Sequence, residues 1–219
     1  MIEEKIMKIG IIGAGNIGAT VAKLFIEAGH EIAIANSRGP ETLQNLVADL
    51  GKKAIAVNVA DAAKFGEVVF VSIPFGKYEE LPAHAFEAKI VIDSNNYYPD
   101  RDGNYVELDE GKTTSSELLA GHLAGSQVVK AFNTIWFEHL KTQGNTALPP
   151  EERRVIFIAG DSEEAKEAVA KLIDDIGFAA VDTGSLRSGG KRQQPGSDIY
   201  NKDLKPEEAE NILTGEAAA

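Results

Sequence analysis

The chain has 219 residues, 43% of them hydrophobic, and a formal net charge of −12 at pH 7. This length and composition predict one compact domain with a sizeable core, and the negative charge argues against nucleic acid or an anionic membrane as a partner. The absence of cysteine excludes disulfides, thiol nucleophiles and zinc–thiolate sites.

Targeting and metal signals are also missing. The chain has no apolar run of about 18 residues and no apolar region of a secretory signal peptide, so we expect a cytoplasmic protein without a membrane span. The histidines stand far apart, at His30, His84, His122 and His139. Their spacing predicts no metal site, and no GxSxG motif indicates a covalent hydrolase.

A glycine fingerprint of the form GxGxxG follows the first predicted strand, residues 6–12. Its members are Gly13, Ala14, Gly15, Asn16, Ile17 and Gly18. A helical apolar pattern follows at once, which favours a dinucleotide site over the alternative, an ordinary strand-to-helix turn. Gly13 permits the tight turn, Gly15 lets the backbone approach a pyrophosphate, and Gly18 lets the helix pack closely on the strand. The helix N-terminus offers free N–H groups to the anion.

The second predicted strand, residues 31–35, leads to the position where NAD-binding sequences carry an acid that binds the ribose 2′-hydroxyl. Here the chain reads Asn36, Ser37 and Arg38, without an acid. The Arg38 guanidinium can bind a 2′-phosphate through two parallel hydrogen bonds, and the Ser37 hydroxyl can add another. The pattern predicts NADP(H) as the cofactor; the alternative is a polar loop before a helix.

Short, continuous apolar runs recur along the chain, as expected of strands buried on both faces. They lie at residues 54–57, 68–73, 90–92, 128–132, 155–159 and 179–181. Helix signals alternate with them, which predicts an α/β fold of the Rossmann type with a doubly wound, mostly parallel sheet. We expect residues 1–185 to form the NADP-binding domain and residues 186–219 to form a C-terminal loop with a short acidic helix or tail.

Local signals mark several helix ends. Thr114 and Glu117 have the spacing of a capping box, and Asp161 with Glu164 imitates one ahead of the next helix, which Gly177 is expected to end. Residues 95–111 are expected to be a long polar loop over the carboxyl edge of the sheet, where loops are often functional.

Ligands of such sheets lie beyond the carboxyl ends of the strands, so the residues after each apolar run are candidate site residues. The cofactor candidates are Ile73, Pro74, Phe75, Asn133 and Thr134, and the substrate candidates are Asn96, Tyr97, Ile135 and Gly184. Amide and hydroxyl groups can hydrogen-bond a carboxamide, and aromatic rings can form walls. Each has a structural alternative, because a proline commonly ends a strand, polar residues cap helices and aromatic rings fill cores.

Residues 187–195 are the one dense basic stretch in an acidic chain. Arg187, Lys191 and Arg192 flank glycines that would let a flexible loop wrap an anion. We predict that this loop clamps the acidic tail of the molecule that accepts electrons from the cofactor, because clustered positive charge attracts anions. The alternative is a solvated loop.

Many of these motifs occur together in one known family. They lie at residues 9–18, 29–31, 36–38, 73–74, 130–135 and 159–161, and span most of the first 185 residues. Through these motifs the chain resembles the NADP oxidoreductase family that includes the coenzyme F420-dependent NADP reductases. The resemblance implies a small Rossmann protein that moves hydride between NADPH and a deazaflavin.

The resemblance also implies roles for individual residues. Ser37 and Arg38 would hold the 2′-phosphate, Ile73 and Pro74 would line the cofactor, and Thr134 and Ile135 would lie near the nicotinamide. Direct hydride transfer between stacked rings needs proximity more than a protein acid or base, so no catalytic residue is singled out.

Two other functions stay open. One is an NADPH-dependent flavin or ferric reductase similar to the oxidoreductase domain of mammalian metalloreductases, with FMN, FAD or a ferric chelate in place of coenzyme F420. The other is a non-catalytic NADP sensor that reports redox state to a partner. Hydroxyacid dehydrogenases and pyrroline carboxylate reductases are disfavoured, because they append a large helical domain for which little chain follows Asp182. We expect a small-molecule acceptor as partner, and a homodimer is one open assembly.

Overall fold

The computed structural model describes residues 6–215, which form one eight-stranded sheet with helices on both faces. The strands are β1 (Lys8–Ile12), β2 (Glu31–Ala35), β3 (Ala54–Ala56), β4 (Val68–Val71), β5 (Ile90–Asp93), β6 (Gln127–Ala131), β7 (Val155–Gly160) and β8 (Ala179–Asp182). Their order is β3-β2-β1-β4-β5-β6-β7-β8, and all neighbours are parallel except β6 and β7. The predicted Rossmann-type, mostly parallel sheet is confirmed.

The helices alternate with the strands, as the right-handed crossovers of a parallel sheet require. They are α1 (Asn16–Glu27), α2 (Gln44–Leu50), α3 (Val59–Phe65), α4 (Pro99–Asp102), α5 (Val106–Asp109), α6 (Ser115–His122), α7 (Phe137–Thr142), α8 (Glu163–Asp175), α9 (Ser188–Arg192) and α10 (Pro206–Thr214). Within residues 6–215, no helix combines the length and apolarity needed to cross a membrane.

The core lies on both faces of the sheet. On one face, α1 and α8 pack their apolar sides on the strands, and on the other face α3 and α6 do so. A smaller cluster joins α10 to β7 and β8 through Ala209, Phe157 and Val181. Helix α10 is therefore packed against the sheet, and the division at residue 185 stays a prediction.

The chain leaves β6 through a strained residue. Phe132 has a φ of 65°, in the left-handed region that residues other than glycine rarely adopt. Its buried ring packs edge-on against Phe25 and Phe70, with ring centroids 6.5 and 5.3 Å away. This packing holds the backbone turn that directs the next residues toward the candidate site.

The helix ends agree with the sequence at two of three places. Thr114 and Glu117 form the predicted capping box, and Gly177 follows α8 with a φ of 81°. The predicted cap at Asp161 is wrong. Ser162 caps α8 by accepting a hydrogen bond from the Ala165 N–H, whereas Asp161 accepts one from the Leu186 N–H at 3.0 Å.

Residues 95–111 are not the continuous loop that their polarity predicts. They contain the single-turn helices α4 and α5. Pro99 begins α4, because proline fits the first turn of a helix, and the backbone N–H of Tyr98 donates to Asp102 at 2.9 Å. These turns give this edge of the sheet a defined shape.

His30 makes stability depend on pH. It is buried, its Nδ1 accepts a hydrogen bond from the Met7 N–H at 3.2 Å, and its Nε2 lies 3.4 Å from Asp175. Burial lowers the pKa of His30 below 6.5, against the opposing effect of Asp175. The unfolded chain therefore binds the proton more tightly than the folded protein does. The contribution of neutral His30 to the free energy of unfolding is complete above pH 6.5 and is lost as pH falls toward the folded-state pKa.

The free energy of unfolding should fall between pH 7.5 and pH 5.5 in the parent. In His30→Gln it should fall less steeply, by up to about 1.4 kcal/mol per pH unit. Urea denaturation at both pH values measures it. The exposed His84 provides the matched control for replacing a histidine with glutamine outside the core. The same pH dependence in the parent and in His30→Gln would contradict the assignment.

Candidate dinucleotide site and acceptor edge

A cleft of about 650 Å³ lies at the carboxyl ends of β1, β2 and β4. Its lining comprises Ile12, Gly13, Ala14, Gly15, Asn36, Ser37, Arg38, Val59, Ile73, Pro74, Lys77, Glu80 and Leu81. The volume is typical of a small-molecule or cofactor site. Sequence reasoning found the glycine turn, residues 36–38 and residues 73–74 of this lining. It missed Val59, Lys77, Glu80 and Leu81, which belong to ordinary helical turns without a motif.

The three fingerprint glycines differ in what surrounds them. Gly13 has a φ of 107°, and a Cβ there would overlap the carbonyl oxygen of Ser72. A Cβ on Gly18 would overlap the carbonyl oxygen of Gly13. A Cβ on Gly15 would meet no described atom within 4 Å, so this glycine borders the open cleft. Gly13 and Gly18 are therefore required by the fold, and Gly15 leaves space for a ligand.

The N-terminus of α1 can bind an anion. The helix begins at Asn16 with Gly15 as its N-cap, and among residues 6–215 no side chain accepts a hydrogen bond from its first N–H groups. Ile17 packs against the core, which fixes the helix on the sheet. Free N–H groups and the positive end of the helix dipole next to a cleft suit a pyrophosphate. The residues present thus fit a dinucleotide cofactor.

The position for the adenosine ribose lies where β2 ends. The Asn36 side chain accepts a hydrogen bond from the Arg38 N–H at 2.9 Å and donates one to the Thr42 hydroxyl at 2.9 Å. This network shapes the turn and leaves the Arg38 side chain exposed at the cleft. Within residues 6–215 no hydrogen bond or ion pair of its guanidinium is formed, so the group is available to a 2′-phosphate.

The turn after β4 carries both cleft and core residues. Ile73 and Pro74 line the cleft, and the Ile73 N–H donates to Asn95 Oδ1 at 2.8 Å. Phe75, predicted to contact the cofactor, is fully buried and stacks on Tyr78 at 4.8 Å. We correct that prediction, because the ring belongs to the core beneath the cleft.

Two predicted residues meet beyond the carboxyl ends of β5 and β6, a region that we call the acceptor edge after the substrate role predicted for it. Asn96 and Asn133 form a reciprocal pair, since Asn96 Nδ2 donates to the Asn133 carbonyl oxygen at 2.9 Å and Asn133 Nδ2 to Asn96 Oδ1 at 3.0 Å. Thr134 is buried, and its carbonyl oxygen accepts from the Asn201 N–H at 2.9 Å. Ile135 is buried in the core cluster, and its contact with a nicotinamide stays a prediction.

A second cavity of about 290 Å³ opens at this edge. Its lining consists of Asn96, Tyr97, Tyr98, Pro99, Leu108, Ser115, Lys130, Gln194 and Pro195. Tyr97 was predicted to lie near the substrate and is part of this wall. Lys130 was not singled out, although a lysine within the apolar run at residues 128–132 was a usable signal.

Residues 193–201 return to the acceptor edge, which the sequence did not reveal. The Gln193 carbonyl oxygen accepts from Asn133 Nδ2 at 2.7 Å, and the Tyr200 hydroxyl lies 2.8 Å from that of Tyr98. Burial, and secondarily the Tyr98 hydroxyl, raises the pKa of Tyr200. The segment is thus fixed by polar contacts over the ends of β5 and β6.

The predicted substrate residues of the C-terminal part do not converge. Because β7 runs antiparallel to β6, Gly184 after β8 lies beside Gly160, and Gly160 pairs with Val129 rather than with the last residue of β6. Arg187 is exposed and lies 3.6 Å from Glu117. Arg192 donates to the carbonyl oxygens of residues 212 and 213 at the end of α10.

The prediction that residues 187–195 form a flexible basic loop is also wrong. Lys191 and Arg192 belong to α9, where Gly189 and Gly190 are buried. Close packing explains these glycines, since a Cβ on Gly189 would lie 2.6 Å from the Thr183 hydroxyl oxygen. Lys191 is exposed, and Arg187 is exposed beside Glu117, so both side chains can reach an anion in solution, whereas Arg192 has a structural role.

Comparison with known proteins agrees with this geometry. Residues 8–97 match the family model described as NADP oxidoreductase, coenzyme F420-dependent. A hypothetical protein of Sinorhizobium meliloti has a solved structure similar to this chain, with 31% identity, a TM-score of 0.79, and coverage of 93% of this chain and 97% of that one. A proposed F420-dependent NADP-reductase from Arthrobacter sp. FB24 shares the fold, with 22% identity, a TM-score of 0.72, and coverage of 90% of this chain and 99% of that one.

Among curated proteins, Metalloreductase STEAP3 of Rattus norvegicus is 29% identical over 183 residues, which are 83% of this chain and 34% of that protein. The chain therefore spans about a third of the length of this relative. The family match covers the glycine turn, the acid-free ribose position and the turn after β4, and the similarity to the Sinorhizobium protein extends over nearly the whole chain. Residues 8–97 of the chain belong to the family of NADP oxidoreductases described as coenzyme F420-dependent.

Proposed function

We propose that this protein is an NADPH-dependent oxidoreductase that transfers hydride to a deazaflavin acceptor such as coenzyme F420. One observation carries the proposal: the N-terminus of α1 and the Arg38 guanidinium, both without side-chain partners among residues 6–215, open into the same cleft, at a ribose position without an acid. The description of the matching family supports the choice of acceptor.

The chain's own residues bind and orient. The N–H groups at the start of α1 would hold the pyrophosphate, and Ser37 and Arg38 would hold the 2′-phosphate. Ile73 and Pro74 would place the dinucleotide along the end of β4. When bound, NADPH supplies the hydride, which carries two electrons and leaves NADP⁺.

The nicotinamide end would meet the acceptor edge at the Asn96–Asn133 pair. Asn95 connects the two regions, because its side chain accepts from the Ile73 N–H and its carbonyl oxygen accepts from Lys130. Ring-to-ring hydride transfer depends chiefly on placing both rings in contact, so a rigid hydrogen-bonded edge suits the reaction.

A second candidate acceptor is a flavin or a ferric chelate. The observation that favours it is the similarity to proteins named metalloreductases, among them STEAP2 of Mus musculus, 27% identical over 184 residues. FMN and FAD present a ring system of the same shape as a deazaflavin, and the acceptor edge described above would face either.

The test is anaerobic stopped-flow oxidation of NADPH by coenzyme F420, FMN, FAD and ferric chelates. Fast oxidation by coenzyme F420 alone would support the proposal, and fast oxidation by flavins or ferric chelates alone would replace it with the second candidate. Tight NADPH binding without turnover on any acceptor would contradict both and favour a redox sensor.

The exposed cations of α9 give a separate prediction about the acceptor's anionic tail. Replacing Arg187 and Lys191 together with alanine should raise the acceptor KM severalfold at low salt and less at high salt, because exposed charges are screened. NADPH affinity should not change. Arg192→Ala is the matched control, and it should lower thermal stability by freeing carbonyl groups at the end of α10. An acceptor KM that stays constant at low ionic strength would eliminate this role.

A further inference from the structure

We propose that the 290 Å³ cavity binds the carbonyl edge of the acceptor's heterocyclic ring, and that Lys130 donates a hydrogen bond to a ring carbonyl oxygen there. The inference rests on the proposed function and names the part of the acceptor that is recognised. It assigns a role to a buried ammonium group that cofactor binding does not use.

Lys130 lies on β6 between buried neighbours and is only 1% exposed. Its Nζ donates to the Asn95 carbonyl oxygen at 2.9 Å and lies 3.5 Å from Asp93 Oδ2. An ammonium group has three N–H donors, and within residues 6–215 these two groups are its partners. Since Lys130 also lines the cavity, its remaining N–H can donate into it.

Asp93 balances the charge of Lys130. One of its carboxylate oxygens accepts from the Ser116 hydroxyl at 2.7 Å, and the other accepts from the Asn95 N–H at 3.0 Å. A charged ligand group would bind weakly beside this neutralised ion pair, because removing that group from water is costly. The pair is better suited to a neutral, polarisable acceptor such as a ring carbonyl.

The other polar groups of the region match the same ring edge. Ser115 lines the cavity, and its hydroxyl makes no hydrogen bond in the described part of the chain, so it can donate to a second carbonyl. Asn133 Oδ1 is buried without a partner among residues 6–215, and its amide nitrogen donates to the cavity residue Asn96. Two donors beside an unpaired acceptor suit a ring in which carbonyl groups flank an N–H.

The walls and the size fit a planar ring rather than a whole coenzyme. Tyr97, Tyr98, Pro99, Leu108 and Pro195 provide aromatic and apolar surface for its faces. A volume of about 290 Å³ is at the lower end for ligand pockets, so the cavity holds one end of a ring system while the rest extends toward the cofactor cleft.

This placement would also help the reaction. Hydride transfer adds two electrons and one proton to the acceptor, oxidises NADPH to NADP⁺, and leaves one negative charge delocalised onto a ring carbonyl until a proton from water neutralises it. A preorganised ammonium donor at that oxygen stabilises the developing charge.

Equilibrium binding tests the inference without turnover. The probes are lumiflavin, which has the carbonyl edge, and phenazine, a neutral tricycle without carbonyl groups, each titrated into protein saturated with NADP⁺. The variants are Ser115→Ala and the charge-neutral double variant Asp93→Asn with Lys130→Met. Ser126→Ala is the matched control, because its hydroxyl donates to the Leu123 carbonyl oxygen near the far end of α6.

We expect lumiflavin affinity to fall at least tenfold in the double variant and about threefold in Ser115→Ala, whereas phenazine affinity and the control variant stay as in the parent. No lumiflavin binding by the parent, unchanged lumiflavin affinity in both variants, or equal losses for both probes would overturn the inference. If the double variant does not fold, Ser115→Ala decides alone.

The outcome is separable from that of the proposed function. If the parent binds lumiflavin through Ser115 and Lys130 but transfers no hydride, the cavity assignment stands and the proposed function is wrong. If a folded double variant reduces acceptors as fast as the parent does, the proposed function stands and Lys130 does not have the role inferred here.

Discussion

Replacing Gly13 with alanine should destabilise the protein by about 3 kcal/mol or more, whether or not a cofactor is present. The residue has a φ of 107°, and the added methyl group would overlap the Ser72 carbonyl oxygen, which belongs to rigid backbone. Thermal denaturation without ligand measures the effect, and a loss of this size corresponds to a fall in Tm of roughly 6–12 °C.

Gly15→Ala is the matched comparison within the same turn. Gly15 has a φ of −78°, and a Cβ would meet no described atom within 4 Å. The Tm should therefore stay close to that of the parent, while the affinity for NADPH and for NADH falls because the methyl group occupies the space of the pyrophosphate. A variant that binds NADPH as well as the parent would show that this turn does not hold the phosphates.

Replacing Arg38 with alanine should weaken NADPH binding at least tenfold and leave NADH binding nearly unchanged. A charge-assisted hydrogen bond to phosphate contributes about 1.5 to 3 kcal/mol, and only NADPH carries the 2′-phosphate. Fluorescence titration of both reduced dinucleotides measures the two affinities.

Glu41 supplies a control of opposite sign for Arg38. It is exposed and lies in the turn that follows Gly39, after the carboxyl end of β2 as Arg38 does. Glu41→Gln should strengthen NADPH binding slightly at low salt, because it removes a negative charge from the neighbourhood of the phosphate. Equal losses for NADPH and NADH in Arg38→Ala would show that Arg38 does not recognise the phosphate.

The sequence predicted the parts of the site that depend on local geometry. The turn from β1 to α1 has no room for a Cβ at Gly13 or at Gly18. The two glycines therefore stand at a fixed spacing that can be recognised in the sequence. The missing acid and the presence of Arg38 were equally visible, because β2 delivers the next residues to the ribose position in any sheet of this type.

The parts that depend on long-range packing were missed or mistaken. An apolar run such as that of β7 does not reveal the direction of its strand, so its antiparallel pairing with β6 could not be predicted. The substrate role predicted for Gly184 rested on a parallel arrangement. Phe75 follows a strand just as a site residue would, but three-dimensional packing places it against Tyr78. The return of residues 193–201 to Asn133 likewise depends on contacts with residues distant in sequence.

The most direct test of the account is calorimetric titration of the parent protein with NADPH and with NADH at one ionic strength. The geometry of the ribose position predicts that NADPH binds at least tenfold more tightly than NADH and that this ratio falls as salt is added. Equal affinities for the two dinucleotides, or tighter binding of NADH, would contradict the assignment of the cleft as an NADP site.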